Sequence, residues 1–244
     1  FEDGNRVREA IETQGSARIR VRLETEIREG LRCNNIWGTL PGQTDENVIV
    51  IAHHDSYFEG ALDNASGTAV MLELAEYFAA VPPESRRRTL HFVSTAGHHA
   101  GSLGTRWLHE NRDTVLADTA LMLNSEHVSV TQTYYWGPRL RRSNTVDARR
   151  WWVNGSAKLK DVVLGAYSTF GVAVYHEMEP IASGDMSVVC RDLPSPQISE
   201  SPAFYHSDHD TPEYVPEAGL EAMARSFAKI LAEVDKLDWQ ELEE

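Results

Sequence analysis

Three short apolar runs, at residues 47–52, 89–95 and 119–123, constrain the fold of this chain more than any other feature. Runs of this length without polar alternation are typical of strands buried on both faces. Helical patterns follow the first two of them, at residues 66–80 and 102–111. Buried strands that alternate with helices predict an α/β fold whose sheet is mainly parallel at its centre.

The segments outside these three runs predict edge strands for this sheet and additional helices. Basic and apolar residues alternate over residues 17–26, which predicts a half-exposed strand, and residues 35–40 are its expected antiparallel neighbour. Helical spacing is found at residues 3–13, over a long stretch at residues 147–167, and in a closing segment at residues 216–234.

Charge and cysteine content exclude several classes of function. The formal net charge is −14 at pH 7, so binding to nucleic acid or to an anionic membrane surface is not expected. Cys33 and Cys190 lie far apart, which excludes a cysteine zinc finger or an iron–sulfur cluster and leaves one disulfide or two buried thiols open. The length suits a single domain over residues 1–244. Since the chain opens at Phe1 without methionine, we interpret it as a processed or trimmed fragment.

Potential metal ligands follow each of the central strands. Because the carboxyl ends of parallel strands meet at one edge of a sheet, we expect these side chains to lie together. Imidazole nitrogen and carboxylate oxygen are zinc ligands, and a catalytic zinc site leaves one position open for water. The candidate ligands for one or two zinc ions are His53, Asp63, His99, Glu126 and His206, and His98 lies next to His99 in the same turn.

Each of these residues also has a structural interpretation. Asp63 could cap the helix that follows it, His98 and His99 could be a surface pair, and His206 could belong to a polar loop. Other catalytic chemistries lack their motifs, because the chain contains no GxSxG, GxxxxGK[ST], GxGxxG or HExxH pattern. The metal interpretation is therefore the one that the motifs favour.

Three motifs resemble those of the co-catalytic zinc aminopeptidases and glutamate carboxypeptidase-like peptidases. They are HHDS at residues 53–56, GALDNASG at residues 60–67 and YHSDHDT at residues 205–211, in matching order and spacing. The resemblance implies a three-layer sandwich with a mixed, centrally parallel sheet and helices on both faces. It also favours an extracytoplasmic or secreted location, and residues 4–15 resemble the segment after a protease-associated domain placed ahead of the catalytic domain.

The resemblance assigns roles residue by residue. His53 would bind one metal ion, Asp63 would bridge two, and His206 would bind the second. Asp55 is expected to orient His53 through the other ring nitrogen. Asp210 would support the His206 loop.

The chain departs from the family pattern at Gly97-His98-His99, where the family has two glutamates. In the family the first glutamate is the general base and the second a metal ligand. His99 can still bind zinc, and we hypothesise that His98 is the base, because neutral imidazole can take a proton from water near pH 7. Glu126 would replace the family's aspartate ligand.

These features imply a zinc-dependent hydrolase of amide bonds, an aminopeptidase that releases N-terminal residues from peptides. Two alternatives remain open: a catalytically impaired binding module on the same scaffold, and a relative that acts on a non-peptide amide or as a cyclotransferase. Tyr175 and Tyr205 are expected at the substrate pocket. No sequence pattern indicates the oligomeric state or the preferred substrate side chain.

Overall fold

The computed structural model describes residues 2–137, 139–177, 182–189 and 193–243. The helices are α1 Glu2–Gln14, α2 Gly67–Ala79, α3 Leu103–Glu110, α4 Arg112–Val115, α5 Ala157–Thr169, α6 Met186–Val189, α7 Glu217–Val234 and α8 Trp239–Glu243. The strands are β1 Ile36–Leu40, β2 Asn47–His53, β3 Thr89–Thr95, β4 Thr119–Asn124, β5 Thr131–Trp136, β6 Arg139–Val146, β7 Arg149–Asn154, β8 Val174–Glu177 and β9 Ser195–Ser199. Within these described ranges, no helix combines the length and the apolar character needed to cross a bilayer.

The central sheet has the strand order β1-β3-β2-β4. Strand β2 pairs in parallel with β3 on one side and with β4 on the other, whereas β1 is antiparallel to β3. In this register His53 lies opposite Thr95. The carboxyl ends of the central strands therefore meet at one edge, as predicted for a mixed sheet with a parallel centre.

Side chains of β2 enter two separate cores, one on each face of the sheet. Val48, Val50 and Ala52 pack in a core that also contains buried residues of α2, α5 and α7. Ile49 and Ile51 face the other way and pack in a core with side chains from α3 and α6. Helices thus cover both faces, which explains why β2 is apolar from Val48 to Ala52 and confirms the predicted three-layer sandwich.

A second sheet, with the order β8-β7-β9, lies beside β4, where the Met122 amide donates to the Pro194 carbonyl at 3.0 Å. Strand β7 corrects the helix predicted over residues 147–167. The chain turns at Gly155, with φ of 128°, and Ser156 caps α5 by accepting from the Leu159 amide at 3.0 Å. The Trp-rich segment before this turn is a strand because it has partners on both sides, β8 and β9.

The strand predicted over residues 17–26 is wrong. In the structure this segment is exposed and has no regular secondary structure, and Val21 is 83% exposed. An alternating pattern forms a strand only where another strand supplies hydrogen bonds, and β1, its expected partner, pairs with β3 instead.

Cys33 is exposed with a free thiol, and Cys190 lies outside the described residues.

Candidate metal centre

Asp63 lies at the centre of a cluster of imidazole and carboxylate groups at the carboxyl edge of the sheet. It is buried on an irregular segment between β2 and α2, with φ of −113° and ψ of 84°. Its Oδ1 lies 3.1 Å from Nε2 of His53, and its Oδ2 lies 3.5 Å from Nε2 of His99 and 3.0 Å from Nε2 of His206. Oε1 of Glu126 is 4.0 Å from Nε2 of His53. The structure therefore brings together the five residues that the sequence nominated as ligands.

His127 belongs to the same cluster and was not predicted. Its Nε2 lies 3.1 Å from Oδ1 of Asp63 and 3.9 Å from Oε1 of Glu126. The sequence signal was its position directly after Glu126, at the end of an apolar run. Only one ligand was predicted after each strand, and after β4 that ligand was Glu126.

The cluster has the properties of a zinc site. Nε2 of His53, His99 and His127 and both oxygens of Asp63 are buried without a hydrogen-bond partner. Buried polar atoms are nearly always paired, and leaving one unpaired costs about 1–3 kcal/mol. Tetrahedral zinc with bonds near 2.0 Å places neighbouring donor atoms about 3.3 Å apart. The separations of 3.0–3.5 Å around Asp63 match that spacing.

The charge of Asp63 is favoured by its neighbours. Burial raises the pKa of the Asp63 carboxyl, but the rings of His127 and His53 outweigh burial and hold that pKa well below its usual value. Asp63 is therefore an anionic group available to a cation on both of its oxygens.

The loop after β2 fixes His53, although not in the predicted way. Nδ1 of His53 donates to the backbone carbonyl of Asp55 at 3.0 Å, which directs Nε2 toward Asp63. The Asp55 carboxylate, expected to take that role, lies 3.9 Å from Nδ1. It accepts instead from the backbone amides of His98 and His99, at 3.0 Å each. These hydrogen bonds outweigh burial and lower the pKa of Asp55, and they hold the turn that carries both histidines.

His98, the predicted base, is held by Asp185. Its Nδ1 donates to Oδ1 of Asp185 at 2.9 Å, and its ring stacks on His53 with centroids 4.0 Å apart. Burial lowers the pKa of His98, but the bond to Asp185 and nearby carboxylates raise it to about 9. Asp185 also accepts from the hydroxyls of Thr95 and Thr105, at 2.9 and 3.0 Å. Sequence reasoning missed Asp185, because no recognised motif surrounds it.

Asp210 supports the Asp63 segment. Its Oδ1 accepts from the Leu62 amide at 2.7 Å, and its Oδ2 accepts from the Asp63 amide at 3.1 Å. Asp210 therefore supports the loop that carries Asp63. The prediction had assigned its support to the loop that carries His206.

Two glycines allow the backbone to approach the cluster closely. A Cβ on Gly67, at the start of α2, would lie 2.0 Å from the Ser125 carbonyl oxygen. A Cβ on Gly184, where φ is +57°, would lie 2.7 Å from Oε1 of Glu126. A side chain at Gly67 would displace the backbone just before Glu126, and a side chain at Gly184 would displace the Glu126 carboxylate.

Aromatic side chains form the exposed rim of the cluster. Tyr205 stacks on His206 with ring centroids 3.6 Å apart. Tyr57, which was not predicted, lies 4.3 Å from the His99 ring and 5.0 Å from the His206 ring. Tyr175 is 60% exposed, and its hydroxyl donates to Glu200 at 2.8 Å. The substrate-binding roles of Tyr205 and Tyr175 stay predictions.

Known proteins are similar to this chain in sequence or in fold. The alkaline phosphatase isozyme conversion protein of Escherichia coli (strain K12) is 30% identical over 122 residues, which cover 43% of this chain and 34% of that protein. A zinc aminopeptidase from Bacillus subtilis superposes with a TM-score of 0.64 at 21% identity, over 86% of this chain and 53% of that chain. A glutaminyl cyclase from an Acidobacteriales bacterium gives a TM-score of 0.63 at 18% identity, over 83% of this chain and 73% of that chain.

At these identities the two solved structures show a shared fold. The chain spans about a third of the length of the E. coli protein and about half of the Bacillus enzyme. A family profile extends further, because peptidase family M28 matches residues 35–231, a range that includes every residue of the Asp63 cluster. The chain therefore belongs to peptidase family M28, which confirms the family predicted from its motifs.

Proposed function

We propose that this chain is the catalytic domain of a zinc-dependent aminopeptidase that releases N-terminal residues from peptides. The observation that carries the proposal is the convergence of the buried, unpaired Nε2 atoms of His53, His99 and His127 on the two oxygens of Asp63. Membership in peptidase family M28 supports peptide amide bonds as the substrate class. The Bacillus structure, described as a zinc aminopeptidase, supports both the metal and the exopeptidase type.

Zinc, when bound, supplies a Lewis acid that polarises the scissile carbonyl and lowers the pKa of water toward about 7. His53, Asp63 and Glu126 would hold it on one side of the cluster. His99 and His206 would hold it on the other, with Asp63 shared between the two sides.

The protein's own part in the reaction is proton transfer by His98. Burial lowers the pKa of His98 but the nearby carboxylates raise it to about 9, and a zinc ion beside the ring would oppose the protonated form and favour the neutral ring at lower pH. Because Nδ1 donates to Asp185, Nε2 is the nitrogen of the neutral ring that can accept a proton, and it lies 4.0 Å from Glu126 Oε1 inside the cluster. His98 takes a proton from the water that attacks the peptide carbonyl and returns it to the amine that leaves when the C–N bond breaks. Asp185 keeps the ring in the required tautomer and orientation.

The test compares aminoacyl-p-nitroanilides with the same compounds carrying an N-acetyl group, using the zinc-loaded chain. An aminopeptidase hydrolyses the free-amine compounds and leaves the acetylated ones intact. His54→Ala is the matched control, because His54 is exposed and its Nδ1 contacts the Ser94 hydroxyl at 2.9 Å, outside the cluster. Equal hydrolysis of blocked and free compounds would exclude an aminopeptidase. Zinc binding without turnover of any amide would favour a binding module.

A second candidate function is cyclisation of N-terminal glutamine, in which the α-amine attacks the side-chain carboxamide and ammonia leaves. Two observations favour this activity: the glutaminyl cyclase matches over 73% of its own length, and the Glu-Glu pair is replaced by His98 and His99. Mass spectrometry of a glutaminyl peptide separates cyclisation from peptide hydrolysis. Loss of ammonia from the intact peptide indicates cyclisation, and release of free glutamine indicates aminopeptidase activity.

A further inference from the structure

We propose that the hairpin formed by β5 and β6 binds the part of a peptide substrate that lies beyond the scissile bond, and that it selects peptides with acidic side chains there. The binding surface, called the hairpin face below, consists of Tyr134, Trp136, Arg139 and Arg141. The inference rests on the proposed function, because it names the substrate class of the same site. Binding to the hairpin face can nevertheless be measured without hydrolysis.

The pairing of the two strands places these four side chains on one side of the hairpin. Tyr134 lies opposite Arg141, and Trp136 lies opposite Arg139. Opposing residues of an antiparallel pair share a face, and so do residues two apart on one strand. Each aromatic ring therefore has an arginine as its direct neighbour across the hairpin.

The hairpin face is open to solvent. Tyr134 is 48% exposed and Trp136 is 75% exposed, and both arginines are exposed as well. The ion pairs that arginines form in the described part of the chain involve neither Arg139 nor Arg141. Their guanidinium groups are thus available to a ligand.

The other side of the hairpin is held against the protein. Arg142, which points away from the hairpin face, donates from Nη1 to the Glu213 backbone carbonyl at 2.7 Å and lies 5.5 Å from the centre of the Tyr214 ring. The Tyr214 ring in turn lies 4.4 Å from the Phe204 ring. A two-stranded hairpin is only marginally stable alone, so these contacts fix its position and leave the hairpin face outward.

The root of the hairpin lies beside the Asp63 cluster. Val130, directly before β5, packs with Leu62 and Phe204 in a small buried core. Leu62 precedes Asp63, and Phe204 precedes Tyr205 at the exposed rim. The six residues of β5, at about 3.3 Å each, extend about 20 Å from this root. A peptide whose N-terminus is held at the cluster therefore reaches the hairpin with its downstream residues.

The chemistry of the hairpin face indicates its ligand. In a chain with a net charge of −14, two neighbouring arginines form a local region of opposite charge. Guanidinium groups bind carboxylates through paired N–H donors, and exposed aromatic rings cover the apolar parts of an extended chain. Exposed apolar surface next to charged groups is typical of an interaction site. These properties fit a peptide that carries aspartate or glutamate side chains.

The experiment measures fluorescence anisotropy of two labelled peptides, in which Leu-Ala is followed by glutamates or by glutamines, on the chelator-treated full chain. The wild type is expected to bind the glutamate peptide more tightly, and this preference should weaken at high salt. Arg139→Gln combined with Arg141→Gln should raise the Kd for the glutamate peptide by about 2- to 30-fold and leave the glutamine peptide unchanged. Trp136→Ala should raise the Kd of both peptides by about 2- to 10-fold.

Arg18→Gln combined with Arg20→Gln is the matched control, because it removes the same charge from an exposed segment without regular structure. It should bind both peptides like the wild type. Equal Kd values of the two double variants for the glutamate peptide overturn the inference, and so does equal affinity of the wild type for both peptides. Self-association that Trp136→Ala abolishes would assign the hairpin face to a second copy and overturn it too.

Kinetics with the zinc-loaded chain separate this inference from the proposed function. Leucyl-p-nitroanilide has no peptide residues beyond the scissile bond, so its hydrolysis by the wild type tests the proposed function alone. The hairpin double variant should raise KM for the glutamate peptide by the same factor as its Kd. Selective binding of the glutamate peptide without hydrolysis of any substrate contradicts the proposed function alone, whereas hydrolysis with equal binding of both peptides contradicts this inference alone.

Discussion

Replacement of Asp210 by asparagine should loosen the segment that carries Asp63 while preserving the shape of the side chain. The Asp210 carboxylate is 2% exposed and accepts from two backbone amides, those of Leu62 and Asp63. Asparagine has one carbonyl oxygen, so one of these amides would face an NH₂ group and stay unpaired.

The magnitude follows from these two hydrogen bonds. A hydrogen bond to a charged group contributes about 1.5–3 kcal/mol, a neutral one about 0.5–1.5 kcal/mol, and an unpaired buried amide costs about 1–3 kcal/mol. Since one neutral bond survives in Asp210→Asn, the free energy of unfolding should fall by about 2–4 kcal/mol. For a chain of this size that corresponds to a decrease in Tm of about 4–16 °C.

The assay is thermal unfolding in the presence of a chelator, so that zinc does not contribute to the difference. Asp208→Asn is the matched control, because Asp208 is in the same loop but its side chain is 73% exposed and contacts the exposed His209. We expect Asp208→Asn to unfold within about 0.5 kcal/mol of the wild type. Zinc affinity of Asp210→Asn should also fall by about 10- to 100-fold, because Asp210 holds the bridging ligand in place. Equal Tm values for the two variants would refute the supporting role of Asp210.

Three further predictions follow from the same structure. Removal of zinc should abolish hydrolysis and destabilise the chain by about 4 kcal/mol relative to zinc at 1,000 times its Kd, measured by scanning fluorimetry, and unchanged unfolding would contradict the ligand cluster. His98→Ala should lower kcat by about 10²- to 10⁴-fold with zinc still bound, and full turnover at saturating zinc would exclude His98 as the base. Gly67→Ala should destabilise the chain by about 1–3 kcal/mol or more because its Cβ meets the Ser125 carbonyl, whereas Gly165→Ala, in open space on α5, should stabilise it by about 0.5–1 kcal/mol in urea unfolding.

The central sheet and most of the Asp63 cluster could be predicted because they depend on local patterns. Strands β2 and β4 have apolar runs at their centres and β3 is mostly buried, and strands of this kind are stable only when both faces are covered. His53 and Asp63 lie in motifs directly after a strand and before a helix, where the α/β fold places its ligands.

His127 could not be predicted because of its backbone conformation. In an extended chain consecutive side chains point to opposite sides, so Glu126 and His127 should not face the same ion. The left-handed φ of His127 breaks that alternation and allows both side chains to lie near Nε2 of His53.

Asp185 was missed for a different reason. It reaches His98 across 87 positions of sequence, next to the short helix α6, and hydrophobic periodicity contains no information on such a contact. The strand β7 was predicted as a helix for a related reason. A short apolar segment with Trp151 and Trp152 suits either state, and pairing with distant strands decides between them.

Strand β2 has a consequence for protein engineering. His53 lies on the same strand face as Ile49 and Ile51, which are four and two residues earlier, so the ligand and the hydrophobic core depend on the position of one strand. A variant that truncates Ile51 would keep every metal ligand but would shift the imidazole of His53. In a genetic screen such a variant would be mistaken for one that has lost a catalytic residue. Libraries intended to alter substrate range should therefore leave this strand unchanged and vary the aromatic rim at Tyr57, which is 46% exposed.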